Sequence, residues 1–494
     1  MKLRRVKIDG YKNIHACDID FADSPFVNAI IGGNGSGKSN LLEAILQILI
    51  GCYFRRPPGF QFFLEFEAQG RSVILQREGR SASVHVNGRP MPLPDFAARL
   101  RESSAQQFYP ALTLVYYSGE CRRVQQLIAR YRRHFQKLTL SPETDHFRPL
   151  FVQSTNEQSQ VILLALFAQG NRQLLGHLQL HEIHGVQIAL RSPDGFDPQR
   201  HEPKLWNTEG AIRRIVAALD ETSSFQETLR RPAIPQAPPL DTEQSTKRLP
   251  YCEDRVYRFE PGPRTGIHEL ARRLQTSGDN IYLALEALRA RGMFRDVSFT
   301  LSGRASVEPF SFHQLSEGEK QLLAVVGALT LTNQDENLIL LDEPDTHLNP
   351  HWSWDFPGML TEAFQPHRQA ATTVLIATHD PVMISGMLRE QVLLANPPAP
   401  GRTLFSRPHR HPRGQGVANL LCSSEFFGLP SSLDKETQKL LDERLGISMK
   451  PELTAQDKAR LKALNAQLEI QPGVSERDPN YVAFLRQRQK PSVS

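Results

Sequence analysis

The 494-residue sequence is poor in cysteine. Its five, Cys17, Cys52, Cys121, Cys252 and Cys422, are odd in number and widely separated, with no CxxC or Cys/His cluster. That spacing excludes a disulfide framework and a cysteine-based metal site, and reads as reduced cytosolic thiols. Long apolar runs are also missing. The best candidates, 161–168 and 41–51, are too short or carry a charge, so no membrane span is expected. The first residues alternate charged and apolar side chains, where a secretory leader needs a continuous apolar core. A cytoplasmic chain is expected. Nor is there an excess of one charge: 58 Lys and Arg stand against 53 Asp and Glu, a net +5. A generally basic nucleic-acid binder is excluded, and any basic surface must be local. Internal repeats and sustained heptads are absent.

What remains is an ordinary globular composition, 40% apolar and 22% charged. The length suits about three domains, or one large core with insertions. Residues 1–31 read as strands, the last of them, Val27 to Ile31, continuously apolar. Helical spacing of Leu41, Leu42, Ala44, Ile45, Ile48 and Leu49 follows a glycine-rich turn. Residues 59–91 read as an antiparallel meander with a hairpin at Asn87-Gly88. Leu112 to Tyr117 is a further strand, 120–139 a basic helix and 161–180 a helix. Four prolines between 232 and 239 mark 231–248 as a linker. Residues 269–292 read as a helix pair or one long helix. Buried strands are expected at 338–341 and 374–377, a basic proline-rich loop at 397–416, and a polar, mostly helical tail from 431.

Three segments carry chemistry. Gly32-Gly-Asn-Gly-Ser-Gly-Lys-Ser39 matches GxxxxGK[ST] between an apolar strand and an amphipathic helix. In that context Gly33, Asn34, Gly35, Ser36, Gly37, Lys38, Ser39 and Asn40 would surround nucleotide phosphates. Backbone N–H groups and the helix N-terminus supply positive potential, Lys38 reaches the β- and γ-phosphates of ATP, and Ser39 ligates Mg²⁺. The apolar strand 338–341 ends in Asp342-Glu343. Asp342 suits Mg²⁺, directly or through water, and Glu343 suits polarising an attacking water. Leu315-Ser-Glu-Gly-Glu-Lys-Gln321 precedes an apolar helix, with Ser316 and Glu319 at capping-box spacing.

This last segment resembles the LSGGQ-type signature of ABC ATPases, with Glu317 in place of a glycine as in SMC- and RecF-like members. The resemblance implies that Ser316 and Gly318 contact the γ-phosphate held by a second protomer, hence a homodimer with composite ATP sites. Order and spacing agree: Ser316 lies 26 residues before Asp342 and His379 lies 37 residues after it. His379 resembles the switch histidine. Asp345 to Pro350 resembles the D-loop, in a "DEP-x-x-HL-x-P" form similar to RecF-, OLD- and SMC-like ATPases rather than transporters. By the same resemblance a Q-loop glutamine should touch nucleotide and Mg²⁺; Gln153 is the choice, with Gln158 and Gln160 competing.

Lys38 and Ser316 are 278 residues apart. That gap is too long for a transporter subunit, and it holds prolines and strands where an SMC protein has coiled coil. The expected fold is α/β: an ABC-type P-loop ATPase head with a β-meander lobe, a helical insertion and a helical C-terminal tail. The divisions are 1–155, 156–305, 306–400 and 401–494. No Asp-x-Asp ends an apolar strand after His379, so the nuclease domain of OLD proteins is not expected. Tyr116-Tyr-Ser-Gly119, Leu150-Phe-Val-Gln153, Asp342-Glu-Pro344 and Phe426-Phe-Gly-Leu429 resemble bacterial defence ATPases, the Septu ATPase subunit and restriction- or retron-associated relatives. That resemblance implies a separate effector subunit such as an HNH nuclease. A RecF-like repair factor that binds DNA directly is the alternative, and a scaffold that binds ATP but barely hydrolyses it is a third. Two basic clusters, at 122–137 and 402–413, leave nucleic acid open as a ligand, or are solvated faces. The tail helices dock a partner or pack on their own domain.

Overall fold

The computed structural model describes the chain apart from residues 102–107, 120, 139–148, 194–204, 207, 233–250, 261–265, 277–279, 304–307, 333–335, 365, 397–403, 451 and 470–494. Two compact units make it up, Met1–Gly414 and Gln415–Ser494. The divisions expected at 1–155, 156–305 and 306–400 all fall within the first. The expected linker at 231–248 lies almost wholly outside the described residues.

The centre of the first unit is a seven-stranded sheet. Its order is Phe405–Ser406, Val392–Ala395, Val27–Ile31, Thr373–Thr378, Asn337–Asp342, Leu112–Tyr117, Phe151–Ser154. All neighbours pair parallel except the short edge strand Phe405–Ser406. Parallel strands are covered on both faces, which is why these segments are near-continuous apolar runs. The helix Lys38–Tyr53 packs on this sheet with Leu41, Leu42, Ile45, Ile48 and Leu49 fully buried.

The other side of that helix is covered by a six-stranded antiparallel sheet, ordered Cys17–Asp20, Lys2–Asp9, Gln61–Ala68, Arg71–Glu78, Ser81–Val86, Arg89–Met91. Here apolar and polar residues alternate, so Val6, Ile8, Leu64, Phe66, Val73 and Leu75 face the core. Asn87 and Gly88 both have positive φ, 50° and 75°, as a two-residue type I′ turn requires.

The insertion is not purely helical. Helices Ser159–Gln169, Arg172–His177, Gly210–Thr222, Ile267–Thr276 and Ile281–Ala290 accompany a five-stranded antiparallel sheet. The sheet runs Phe225–Pro232, Tyr251–Phe259, Leu180–Arg191, Phe294–Gly303, Phe310–Ser311. The helix expected over 161–180 breaks at Gly170, whose φ of 69° ends one helix, and Asn171 caps the next. The segment 269–292 is two helices, the second capped by Asn280 accepting from the Leu283 N–H at 2.9 Å.

The second unit contains helices Val417–Cys422, Lys435–Ser448 and Ala455–Glu469. The last two are joined by Arg444 to Asn465 and by a two-pronged Arg460–Glu443 pair. Asp434 caps the first of those two by accepting from the backbone at Glu436 and Thr437. These two helices pack against each other.

Candidate active site

The parallel sheet brings the C-terminal ends of Val27–Ile31, Thr373–Thr378 and Asn337–Asp342 side by side. Loops at such ends form the binding crevice of open α/β sheets. The loop after Ile31 turns through positive φ at Gly35 (76°) and Gly37 (100°). Gly32 cannot carry a side chain, because a Cβ would lie 2.7 Å from the Ala395 carbonyl. Around Gly33 and Gly35 a Cβ would meet nothing within 4 Å, so the cradle side of the loop is open.

Lys38 opens the helix and is buried. Its Nζ donates to the carbonyls of Gly32 at 2.8 Å and Gly33 at 3.3 Å. Burial pushes its ammonium below the ordinary lysine range, while the carboxylates of Glu343, Asp342 and Asp345 oppose that shift. Ser36 Oγ is buried without a hydrogen-bond partner inside the same loop. A buried hydroxyl left unpaired is costly, and an oxyanion in the cradle would satisfy it.

Ser39 Oγ donates to Asp342 Oδ1 at 2.8 Å, although 303 residues separate them. Burial raises the Asp342 carboxyl to about 6; Ser39 opposes the shift and Glu343 adds to it. A hydroxyl and a desolvated carboxylate in contact fit Mg²⁺, whose hard oxygen ligands are of this kind. The charge also has a testable cost. Folding binds the Asp342 proton more tightly than the unfolded chain does, so above pH 6 the buried carboxylate is destabilising. Asp342→Asn is expected to stabilise the metal-free protein at pH 8 by about 3 kcal/mol. The gain should shrink as pH falls through 6 and vanish near 4. Thermal melts at both pH values check this.

Glu343 is the strained residue of the site. Its φ is 49°, the left-handed region that non-glycine residues rarely occupy, worth about 1–3 kcal/mol of strain. Its N–H donates to the Ala377 carbonyl at 2.8 Å, and its own carbonyl accepts from Thr346 Oγ at 2.9 Å. The turn sets the Glu343 carboxylate 3.3 Å from Nδ1 of His379, which is 55% exposed at the end of the neighbouring strand. Behind them Thr378 Oγ donates to Asp345 Oδ2 at 2.8 Å and fixes the start of the D-loop-like segment.

The signature-like segment forms the start of the helix Glu317–Leu322. Ser316 caps it: its Oγ accepts from the Glu319 N–H at 3.3 Å, and Glu319 reaches back to the Ser316 N–H at 2.7 Å. Gly318 packs under His347, where a Cβ would come within 2.4 Å of the carbonyl. Ser316 itself is exposed. A π-helical turn, Leu323–Gly327, continues the helix.

Not every expected residue joins this cluster. Gln153 lies on the edge strand Phe151–Ser154, paired with Val115, which pairs with Leu340, two positions short of Asp342. It lines a separate cavity with Tyr131, Gln158, Tyr282 and Glu286. Gln158 donates to Glu286 and Gln160 to the Val297 carbonyl. Asn40 is tied down by its neighbours: its Nδ2 donates to Asn13 Oδ1 at 2.7 Å and its Oδ1 accepts from Lys12 Nζ at 3.1 Å. Asn13 in turn donates to the Gly35 carbonyl at 2.7 Å. Sequence reading missed this brace. The signal was the tight turn after the first strand, where Lys12 has φ 51°.

The basic clusters differ. On the helix Arg122–Leu138, Arg122, Arg123, Arg130, Arg132 and Arg133 are exposed. Tyr131 is 2% exposed and stacks on Phe135 at 5.7 Å, so those aromatics serve the core. In the second cluster Arg407 is largely buried and donates to Ser24 and to the Val392 carbonyl, while Arg413 donates to Gly386. Those two arginines hold structure; Arg402 lies outside the described residues.

Comparison with known proteins adds the decisive observation. A family model described as "AAA ATPase domain" matches residues 1–63, and one described as "AAA domain, putative AbiEii toxin, Type IV TA system" matches residues 184–385. The first holds the phosphate loop; the second holds the signature, Asp342, Glu343 and His379. Septu protein PtuA of Bacillus mycoides is 26% identical over 163 residues, 31% of this chain and 22% of that protein. DNA replication and repair protein RecF of Psychromonas ingrahamii is 44% identical over 86 residues, 17% of this chain and 23% of that protein. The chain is a P-loop ATPase, similar over part of its length to RecF and to Septu protein PtuA. The ATPase spans less than a quarter of the length of these two relatives. A solved SMC head bound to the C-winged helix domain of ScpA overlays 81% of the ATPase and 95% of that chain. The TM-score of that overlay is 0.34 and the identity 13%. No described helix of the ATPase is long and apolar enough to cross a membrane.

Proposed function

We propose that the ATPase hydrolyses ATP at two composite sites of a homodimer, and that its nucleotide state controls a separate effector nuclease in bacterial antiviral defence. The observation that carries the hydrolytic part is the convergence of Lys38, Ser39, Asp342, Glu343 and His379 at adjacent strand ends. Loop N–H groups and Lys38 hold the phosphates. Ser39 and Asp342 would hold Mg²⁺, which would neutralise phosphate charge. The strained turn aims the Glu343 carboxylate to orient water and take its proton, and His379 stands beside it to contact the γ-phosphate. Exposed Ser316 completes the site of the partner protomer.

The defence reading draws on the PtuA likeness; likeness to RecF favours the second reading, direct action on DNA. The experiment that separates them is coexpression of the ATPase with the products of its neighbouring genes. The first reading expects a stable complex with a nuclease subunit whose activity changes between ATP and ADP. ATP-dependent binding to gapped duplex by the ATPase alone, with no such complex, would favour the second. Arg130 and Arg133 are then the side chains to charge-reverse, and the affinity lost should depend steeply on salt.

A further inference from the structure

One buried side chain joins the signature helix to the catalytic turn. Gln321 is fully buried on the helix Glu317–Leu322. Its Nε2 donates to the Glu343 carbonyl at 3.4 Å, and its Oε1 accepts from the His347 N–H at 3.1 Å. One helical turn earlier, Gly318 is in such close contact with the His347 carbonyl that no Cβ fits between them. The helix therefore meets the segment 343–347 at two points, one by close packing and one by a side chain using both ends of its amide.

The peptide that Gln321 reaches is the strained one. A left-handed φ at a glutamate persists only where neighbours over-determine it. Thr346 Oγ and Gln321 Nε2 share the Glu343 carbonyl, and the Glu343 N–H is held by Ala377. Of these anchors, Gln321 alone comes from the signature helix.

We infer that Gln321 is a positioning residue that couples the two ATP sites. It ties the Glu343 peptide and the D-loop-like segment to the helix whose tip, Ser316 and Gly318, faces the other protomer's phosphate. Engagement of that tip then sets the carboxylate of the same protomer's own site. The inference rests on the proposed trans-acting signature. It gives Gln321 a role that its position inside a helix did not suggest.

The test uses the full chain and follows steady-state turnover against ATP concentration, together with ATP-dependent dimerisation. Wild type is expected to show a Hill coefficient above 1. Gln321→Leu removes both bonds and should lower kcat about tenfold, with KM nearly unchanged and the Hill coefficient falling to 1. Gln321→Glu is isosteric, keeps the bond from His347 and loses the donor to Glu343, so it should fall between the two. It covers the case in which the leucine variant does not fold. An unchanged kcat and Hill coefficient in Gln321→Glu overturns the inference. So does a loss of kcat that merely tracks a lowered melting temperature with cooperativity intact. A hyperbolic wild-type curve with ATP-dependent dimers present also overturns the coupling, while leaving the composite site standing. Wild type that never dimerises with ATP overturns the composite site itself.

Discussion

Glu343→Gln is expected to turn ATP over about 10³-fold more slowly than wild type, the usual scale for loss of a general base. Binding should survive, because Lys38, Ser39 and Asp342 are untouched and the glutamine is the same size as the residue it replaces. Its peptide is held by Ala377, Thr346 and Gln321 through backbone atoms that the substitution keeps. Only the acceptor for the water's proton is lost, along with the charge 3.3 Å from His379. A fluorescent ATP analogue titrated into the variant measures binding, and phosphate release measures turnover. Near-normal turnover in Glu343→Gln would remove the carboxylate from the chemistry.

Ser316→Arg should also damage turnover, for a different reason. Ser316 is exposed, so an arginine fits in the isolated chain without a clash. It loses the cap hydrogen bonds with Glu319, worth about 1 kcal/mol to the helix. That cost is local, and nucleotide affinity of the single chain should stay within a few fold. Apposition of two chains is another matter, because a long cation replaces a small hydroxyl where the signature must approach the other protomer's phosphate. Turnover is expected to fall at least about 100-fold, an effect near 2.7 kcal/mol on the barrier. Loss of ATP binding in this variant would mean that Ser316 serves its own loop instead.

The features that the sequence showed plainly are those encoded by contiguous residues. The phosphate loop, the acids at 342–343 and the signature each announce themselves within eight positions, and the parallel strands carrying them are buried on both faces. Features built by tertiary contact were not legible. Gln321 reads as one polar residue in an apolar helix, and only the fold sets its amide against Glu343 and His347. Asn13 reads as turn chemistry, yet it braces Gly35. A strand over 297–301 is legible and is part of Phe294–Gly303, but two long strands of the insertion were missed because Leu180–Arg191 and Tyr251–Phe259 mix histidine, acids and arginine among their apolar residues. In the first, Gly185 at φ 60° marks a register shift that spoils the alternation, leaving only Val186, Ile188 and Leu190 to show it. Gln153 illustrates the limit of motif order alone. Its strand joins the sheet that carries the site, but its side chain lines the cavity beside Tyr131.

The composite ATP site stands or falls on the behaviour of two chains together. Sedimentation velocity of Glu343→Gln with MgATP, with MgADP and without nucleotide measures that behaviour. The expected result is a dimer with MgATP and a lighter species under the other two conditions, with Ser316→Arg in the same background staying light throughout. An identical species under all three conditions would contradict ATP-dependent closure and, with it, a signature that acts in trans.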